Sequence, residues 1–424
     1  MDSKVLCVSI GDALTEETVA EHTRLLAELE AAGVDLVSGI AVRCEADIGS
    51  AVAKAAGTDP DVLALITLCG RSAPLQVAVV ESVSLPTAVW AVGREFAFPS
   101  SALAVGALRE RGRRVALFHG AADDAETMTG FLAAVRAGAA VTRLGRARIG
   151  VIGGLFPNLV SCRCEPEVIK TRLGAELVSV SYERLQREMR RADDDREALA
   201  RLRERCAAYD MRVPPEALEP GLSLHLALKR IAGELGLEAF AIECWSGLPE
   251  AMGLNPCLGL VEDAYVLACE GDVMLAVLLL MVGYMTGASA CAADIRYIDK
   301  DGVLTLCHCG GPAAAAAGDD VILDISAAAQ DAGCATVACR PSIPPGPVTL
   351  ARFYGERCDH MHVATGDLLS CDRSRDLTVS VKLHGSRSVF IDECLGNHYA
   401  VVPGDIRQEL AILGEWLKID VVYT

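Results

Sequence analysis

Three separated segments of this chain carry the side-chain types that hold one divalent cation: Glu270 in Ala268-Cys269-Glu270-Gly271-Asp272, Asp294 in Ala292-Ala293-Asp294-Ile295-Arg296, and His398 in Gly396-Asn397-His398-Tyr399. Carboxylate oxygens and a neutral imidazole nitrogen suit a hard or borderline cation such as Mn²⁺. Three protein ligands leave coordination positions open to substrate oxygens, which is the arrangement of a catalytic rather than a bracing metal. Taken singly, each residue has an ordinary reading. Glu270 is a helix-start carboxylate favoured by the helix dipole, Asp294 an ion-pair partner of Arg296, and His398 a core or surface imidazole.

The surrounding pattern supplies elements to position these groups. Tyr265 to Cys269 reads as a buried strand that delivers Glu270 to its carboxyl end, where open α/β sheets place their ligand crevices. Val273 to Ala293 contains no charged residue and by length alone could cross a bilayer. Gly283, Thr286, Gly287 and Ser289 within it, acidic brackets at Glu270, Asp272 and Asp294, and the lack of basic flanks argue instead for a buried helix over about 272–285, closed by Gly287 and followed by a strand. Short apolar runs at Val303 to Leu306, Val321 to Ile325, Val348 to Phe353, Met361 to Ala364, Leu377 to Leu383 and Val389 to Asp392 lie between Gly, Pro and Asp turns and predict antiparallel strands. A helix over Ile406 to Leu417 and a strand over Ile419 to Tyr423 complete that region.

Earlier in the chain, strands (Val5 to Ile10, Val62 to Leu68, Thr87 to Val92, Val115 to Phe118) alternate with helices (Glu16 to Ala32, Ala125 to Ala137), the signature of a doubly wound parallel sheet. A second unit opens at Arg148 to Gly154 and runs through charged helices over 182–208, the helix Leu222 to Leu235 and the strand Ala239 to Glu243. The resulting expectation is an α/β chain of two Rossmann-like domains, 1–145 and 146–290, followed by a β-rich domain, 291–424. Gly150, Gly153 and Gly154 lack the full dinucleotide fingerprint and its acidic ribose partner, so they are read as structural.

Composition narrows the function. A formal charge of −18 argues against nucleic acid and anionic membranes as partners, because both demand a basic face. Met1 to Val5 runs directly into an apolar strand without a signal-peptide pattern, so a cytoplasmic location is expected. The seventeen cysteines then read as reduced thiols. Cys162-Arg163-Cys164 and Cys307-His308-Cys309 are spaced too closely for the usual structural zinc patterns. Strand alternation would send His308 to one face and its flanking thiols to the other.

Cys269 to Asp272, the apolar run after it, Met285-Thr286-Gly287 and Ala292 to Arg296 resemble the metal-site region of the L-fucose isomerase and L-arabinose isomerase superfamily, closest to the fucose isomerase branch. Gly396-Asn397-His398, Pro403-Gly404-Asp405 and the helix after them resemble that branch's closing segment. The resemblance holds at motif level over about 240–424 and is architectural before that. It implies two Rossmann-like domains before a β-rich one, and a metal held by Glu270, Asp294 and His398 between the second and third. It also implies a homo-oligomer, trimer or hexamer, and a sugar substrate. The implied reaction is aldose–ketose isomerisation of a pentose, deoxyhexose or related sugar through a cis-enediolate, with Glu270 and Asp294 as acid/base pair and either carboxylate fitting the carbon base. His308, Trp245, Arg296 and Asn397 are candidate substrate contacts, Arg296 being read first as the partner that orients Asp294. Asp263, His360 and His362 are supporting or surface groups. The chain is shorter than typical fucose isomerases, and Gly271 stands where the familiar motif often has Asn. A non-catalytic sugar-binding protein and a metal-dependent lyase or epimerase are the alternatives.

Overall fold

The computed structural model describes residues 3–11, 15–93, 96–262, 264–331, 333–334 and 336–424. It divides into two compact units, one of Met1–Arg143 with Tyr284–Gly287 and Gln408–Lys418, the other of Leu144–Gly283, Ala288–Arg407 and Ile419–Thr424. In the first unit β1 (Lys4–Ile10), β2 (Asp35–Val42), β3 (Val62–Thr67), β4 (Thr87–Ala91) and β5 (Val115–His119) form one sheet in the order β2-β1-β3-β4-β5, with every pairing parallel. Strands β3 and β4 are buried at every position, as a parallel sheet covered by helices requires. The edge strand β2 and the helices Ala73–Val83 and Ala97–Glu110 are not signalled by the sequence pattern. Strand β2 is half-exposed and contains Gly39, and the two helices are rich in Ala, Val and Ser without a clear polar stripe.

The second unit starts with another parallel sheet, β10-β9-β6-β7, built from β6 (Arg148–Ile152), β7 (Glu176–Ser179), β9 (Ala239–Ile242) and β10 (Val266–Cys269). A two-residue strand β8 (Asp210–Met211) joins β13 (Val321–Ile325) and β14 (Val337–Pro341) in a small separate sheet. The remaining strands, β11 (Cys291–Ile298), β12 (Val303–His308), β15 (Gly346–Tyr354), β16 (His360–Asp372), β17 (Leu377–Leu383) and β18 (His398–Pro403), pair antiparallel in the order β15-β18-β11-β12-β17-β16. Pairing of β15 with β16 closes the ring into a barrel, and β19 (Asp420–Tyr423) adds parallel to β16. Leu304, Leu306, Leu350, Val379, Val381 and Tyr399 belong to its packed core.

Two readings of apolar runs meet different outcomes. The stretch after Asp272 is a 14-residue helix, Val273–Thr286, followed by β11, and among the described residues no helix is long and apolar enough to cross a membrane. Val389 to Asp392, expected as a strand, lies instead in the helix Arg387–Glu393. Only Phe390 of that segment is buried, while Val389 and Ile391 face outward, so one anchor at helical spacing decides the conformation and the β-branched flanks do not.

Strand β10 ends in a sharp reversal with Glu270 at φ 57° and Gly271 at φ 72°. A Cβ on Gly271 would run into the carbonyl oxygen of Gly154, so the turns after β6 and β10 abut at backbone distance. Gly150 is likewise packed under the ring of Phe240, and Gly153 under Tyr182 and Glu243. These glycines serve close packing, which accounts for a glycine-rich turn without a nucleotide fingerprint. Gly271→Ala combines a positive φ with a backbone collision and is expected to cost more than about 1 kcal/mol. A lowered urea midpoint at unchanged slope would show it.

Candidate metal centre

Sheet register explains how residues 104 positions apart meet. Asp294 of β11 is paired with His398 of β18, and the amide of Ile295 donates to the carbonyl of Asn397 at 3.2 Å, so both side chains leave the same face of the ladder. Glu270 joins them from the end of β10. Its amide donates to Cys244 Sγ at 3.3 Å, and its carbonyl accepts from the Phe156 amide at 2.8 Å. The left-handed backbone at Glu270 is thus held on both sides while its side chain turns toward the barrel.

Glu270, Asp294 and His398 each place one ligand atom within 4.8 Å of the others. His398 Nε2 lies 3.3 Å from Asp294 Oδ1 and 3.8 Å from Glu270 Oε2, yet it makes no aligned hydrogen bond and is fully buried. A buried nitrogen facing two carboxylates with no hydrogen bond of its own fits a cation seated among the three. The other ring nitrogen, Nδ1, lies 3.0 Å from Asp272 Oδ2. With Nδ1–H donating to that carboxylate, the tautomer is set and Nε2 presents its lone pair to the centre. Burial alone disfavours an imidazolium, but Asp272, Asp294 and Glu270 outweigh it and raise the proton affinity of His398 well above the ordinary value. Against the upward pull of burial, His398 in turn keeps Asp272 and Asp294 below the usual carboxylate range.

Asp272 is the functional residue that sequence reasoning missed. It is 3 % exposed, and its second oxygen accepts from the Leu275 amide at 2.9 Å, capping the helix Val273–Thr286. An Asp before an apolar helical run signals the cap; its bond to an imidazole 126 positions away has no local signature. Cys162 also lies within ligand distance of Asp272 and His398. Burial and the neighbouring Asp272 push its thiol up to about 12, so without a cation it stays protonated beside that carboxylate.

Glu270 and Asp294 border a cavity of about 610 Å³, whose wall also includes Trp245, His308, Arg296 and Asn397, while the buried His398 is not among its wall residues. Asn397 Nδ2 hydrogen-bonds Asp294 Oδ1. Arg296, expected to orient Asp294, instead points a guanidinium nitrogen to within 3.9 Å of Cys307 Sγ, so the orienting contact comes from the amide and not the cation. His308 is buried with Leu304 and Leu306 on the inward face of β12, Nδ1 lying 3.2 Å from the Gly310 carbonyl, and it borders the cavity at the strand end, as do Cys307 and Cys309. Trp245 is 36 % exposed and lies 6.3 Å from Phe156, another wall residue. The buried Glu243 accepts from the Trp245 and Ser246 amides and from Gly247, which fixes the turn that carries the indole. Asn255 borders the cavity and donates to the Cys244 carbonyl at 2.6 Å.

Other candidates lie elsewhere. His362 is enclosed between Tyr399 Oη at 2.6 Å and Thr424 Oγ1 at 2.8 Å, and burial, aided by Arg352, lowers it to about 4, so it is a neutral core imidazole. His360 is stacked on Tyr354 beside Asp359 and Asp420. Asp263 lies outside the described residues.

Two curated proteins are similar to this chain, the sulfoquinovose isomerases of Priestia aryabhattai and Priestia megaterium. Each is 22% identical over 288 residues, covering 65% of this chain and 64% of the relative, so the match spans less than two thirds of the relatives' own length. No family model matches the chain.

Asp272→Asn keeps the shape of the side chain but removes the charge that faces Nδ1–H. Loss of such a partner typically weakens metal binding about 10- to 100-fold, and Mn²⁺ titration with unchanged far-UV circular dichroism is the check. Because His398 must lose its proton before Nε2 can bind a cation, affinity is expected to rise about tenfold per pH unit below the raised pKa. Calorimetry in buffers of different ionisation enthalpy would show one proton released per ion, and a pH-independent affinity would contradict the assignment.

Proposed function

We propose that this protein is a divalent-metal-dependent sugar isomerase that interconverts an aldose and its ketose. The observation that carries the proposal is the convergence of Glu270 and Asp294, both on the wall of a cavity sized for a sugar, with the unbonded Nε2 of the buried His398. Similarity to isomerases of a sulfonated sugar supports the same reaction class, as does the resemblance of residues 269–296 and 396–417 to fucose isomerases. Mn²⁺ is the cation proposed, and the two parallel sheets are read as doubly wound Rossmann-like units. A homo-oligomer, trimer or hexamer, and a cytoplasmic location belong to the same reading.

The residues divide the work by exposure. His398 is 2 % exposed and immobilised by Asp272, so its role is to hold. Glu270 and Asp294, 17 % and 30 % exposed, reach the cavity and can exchange protons with a ligand there. A cation bound by the three residues would stabilise negative charge on neighbouring sugar oxygens, which is the charge that develops when the hydrogen on C2 leaves. One carboxylate removes that carbon proton and returns it to C1, while the other moves the proton between the two oxygens. Asn397 keeps Asp294 aimed, and Trp245 with Phe156 offers an apolar wall to a sugar ring face. Arg296 and Arg375 border the same cavity, beside Asp331, Asp372 and Asp376, and are the two arginines among its described wall residues that an anionic substituent such as a sulfonate would have to engage.

Mn²⁺-loaded protein incubated in D₂O with neutral and sulfonated aldoses is expected to yield ketose carrying deuterium at carbon. Glu270→Gln should lower the rate at least about 10²-fold, the usual scale for losing an acid/base group, with the fold retained. Ligand binding without any exchange would leave a sugar-binding protein, and a fragment or C-epimer would point to a lyase or epimerase.

A further inference from the structure

Cys162-Arg163-Cys164 places two thiols at opposite tasks. Cys162 is buried against Asp272 and accepts from Arg352 at 3.7 Å. Cys164, half-buried, meets Cys358, and their sulfurs are 3.1 Å apart across 194 positions of sequence. A disulfide needs about 2.05 Å between sulfurs, so bond formation asks for a movement of about 1 Å. Cys358 sits in the turn between β15 and β16, fully buried and at φ 49°, its amide bonded to the Gly355 carbonyl at 3.0 Å. It is therefore a fixed anchor.

The other half of the pair closes a segment that borders the cavity. Residues 153–165 leave β6, bond the Glu270 carbonyl through the Phe156 amide, contribute Phe156 and Asn158 to the cavity wall, and pass Cys162 beside Asp272 before ending next to Cys358. We propose that Cys164 and Cys358 form a reversible thiol–disulfide site, oxidised by a low-molecular-weight disulfide, that fastens this cavity-lining segment to the β15–β16 turn.

The hydrogen bond from Cys358 holds Cys164 below the ordinary thiol range and marks it as the attacking group. The Cys164 thiolate attacks one sulfur of RS–SR, forming a mixed disulfide and releasing RS⁻, which takes up a proton. Cys358, giving up its own proton, then attacks Cys164 Sγ and expels the second RS⁻, which is protonated in turn. Two protein thiols are oxidised by two electrons, and one disulfide is reduced to two RSH. Since the sulfurs are already in contact, the bridged form keeps the arrangement of the cavity wall, and the bond restricts chiefly the opened states of the segment. The inference is independent of the reaction proposed above.

The test uses the full chain, incubated with oxidised glutathione or with dithiothreitol, then digested without reduction for mass spectrometry. A peptide joining Cys164 to Cys358 is expected after oxidation and absent after reduction, together with slower proteolytic cleavage within 153–165 that dithiothreitol reverses. Cys164→Ser and Cys358→Ser should each lose both effects. Oxidation that stops at a glutathionylated Cys164, or a bridge that leaves cleavage of 153–165 unchanged, would overturn the proposal. The wild-type digest decides the matter even where a serine variant does not fold.

Discussion

The carboxylate of Asp272 ties two otherwise unrelated parts of the second unit together, and the geometry of the site follows from it. One oxygen ends the helix Val273–Thr286 by accepting the Leu275 amide; the other faces Nδ1 of His398 on the barrel. A buried carboxylate is costly unless both oxygens are matched, and here each is. The helix start and the imidazole therefore cannot shift independently. Glu270, two residues before the cap, is carried along because its own backbone is locked by Cys244 and Phe156.

The barrel supplies the complementary constraint. Asp294 and His398 are directly opposed on antiparallel strands, so their separation is a property of the ladder and not of side-chain choice. A slip of one residue between β11 and β18 would turn one of them to the other face. Ring closure through β15 and β16 makes such a slip expensive, because every strand of the ring is held on both sides. Precision at the centre thus comes from sheet register on one side and a capped helix on the other.

How much of this was legible in the sequence depended on the range of the interaction. The buried strands of the parallel sheets and the apolar helix announce themselves through composition and bracketing charges, whereas the half-exposed β2 does not. The three residues that converge were visible as residue types in order, given the resemblance of the flanking motifs. Asp272 was legible only as a cap, Asn397 only as a candidate substrate contact, and Arg296 drew the expectation of an ion pair because a cation two positions from an Asp is the simplest local guess. The true neighbours of Asp294 come from β18, and no window of sequence contains both. The helix Arg387–Glu393 fails for a different reason: its Val389-Phe390-Ile391 run has strand composition, whereas burial selects Phe390 alone.

The order of assembly follows from where the three converging residues lie. No stretch ending before residue 398 contains them all, and the strand that brings the histidine is joined to β11 only by a contact spanning about a quarter of the chain. Contacts of such separation form late, since loop closure must be accomplished before they reward it. During synthesis, a cation meets only scattered carboxylates until β18 has emerged and the ring has closed. Any metal held here is acquired once the barrel has closed, so it acts as a clamp on that completed ring and not as its nucleus.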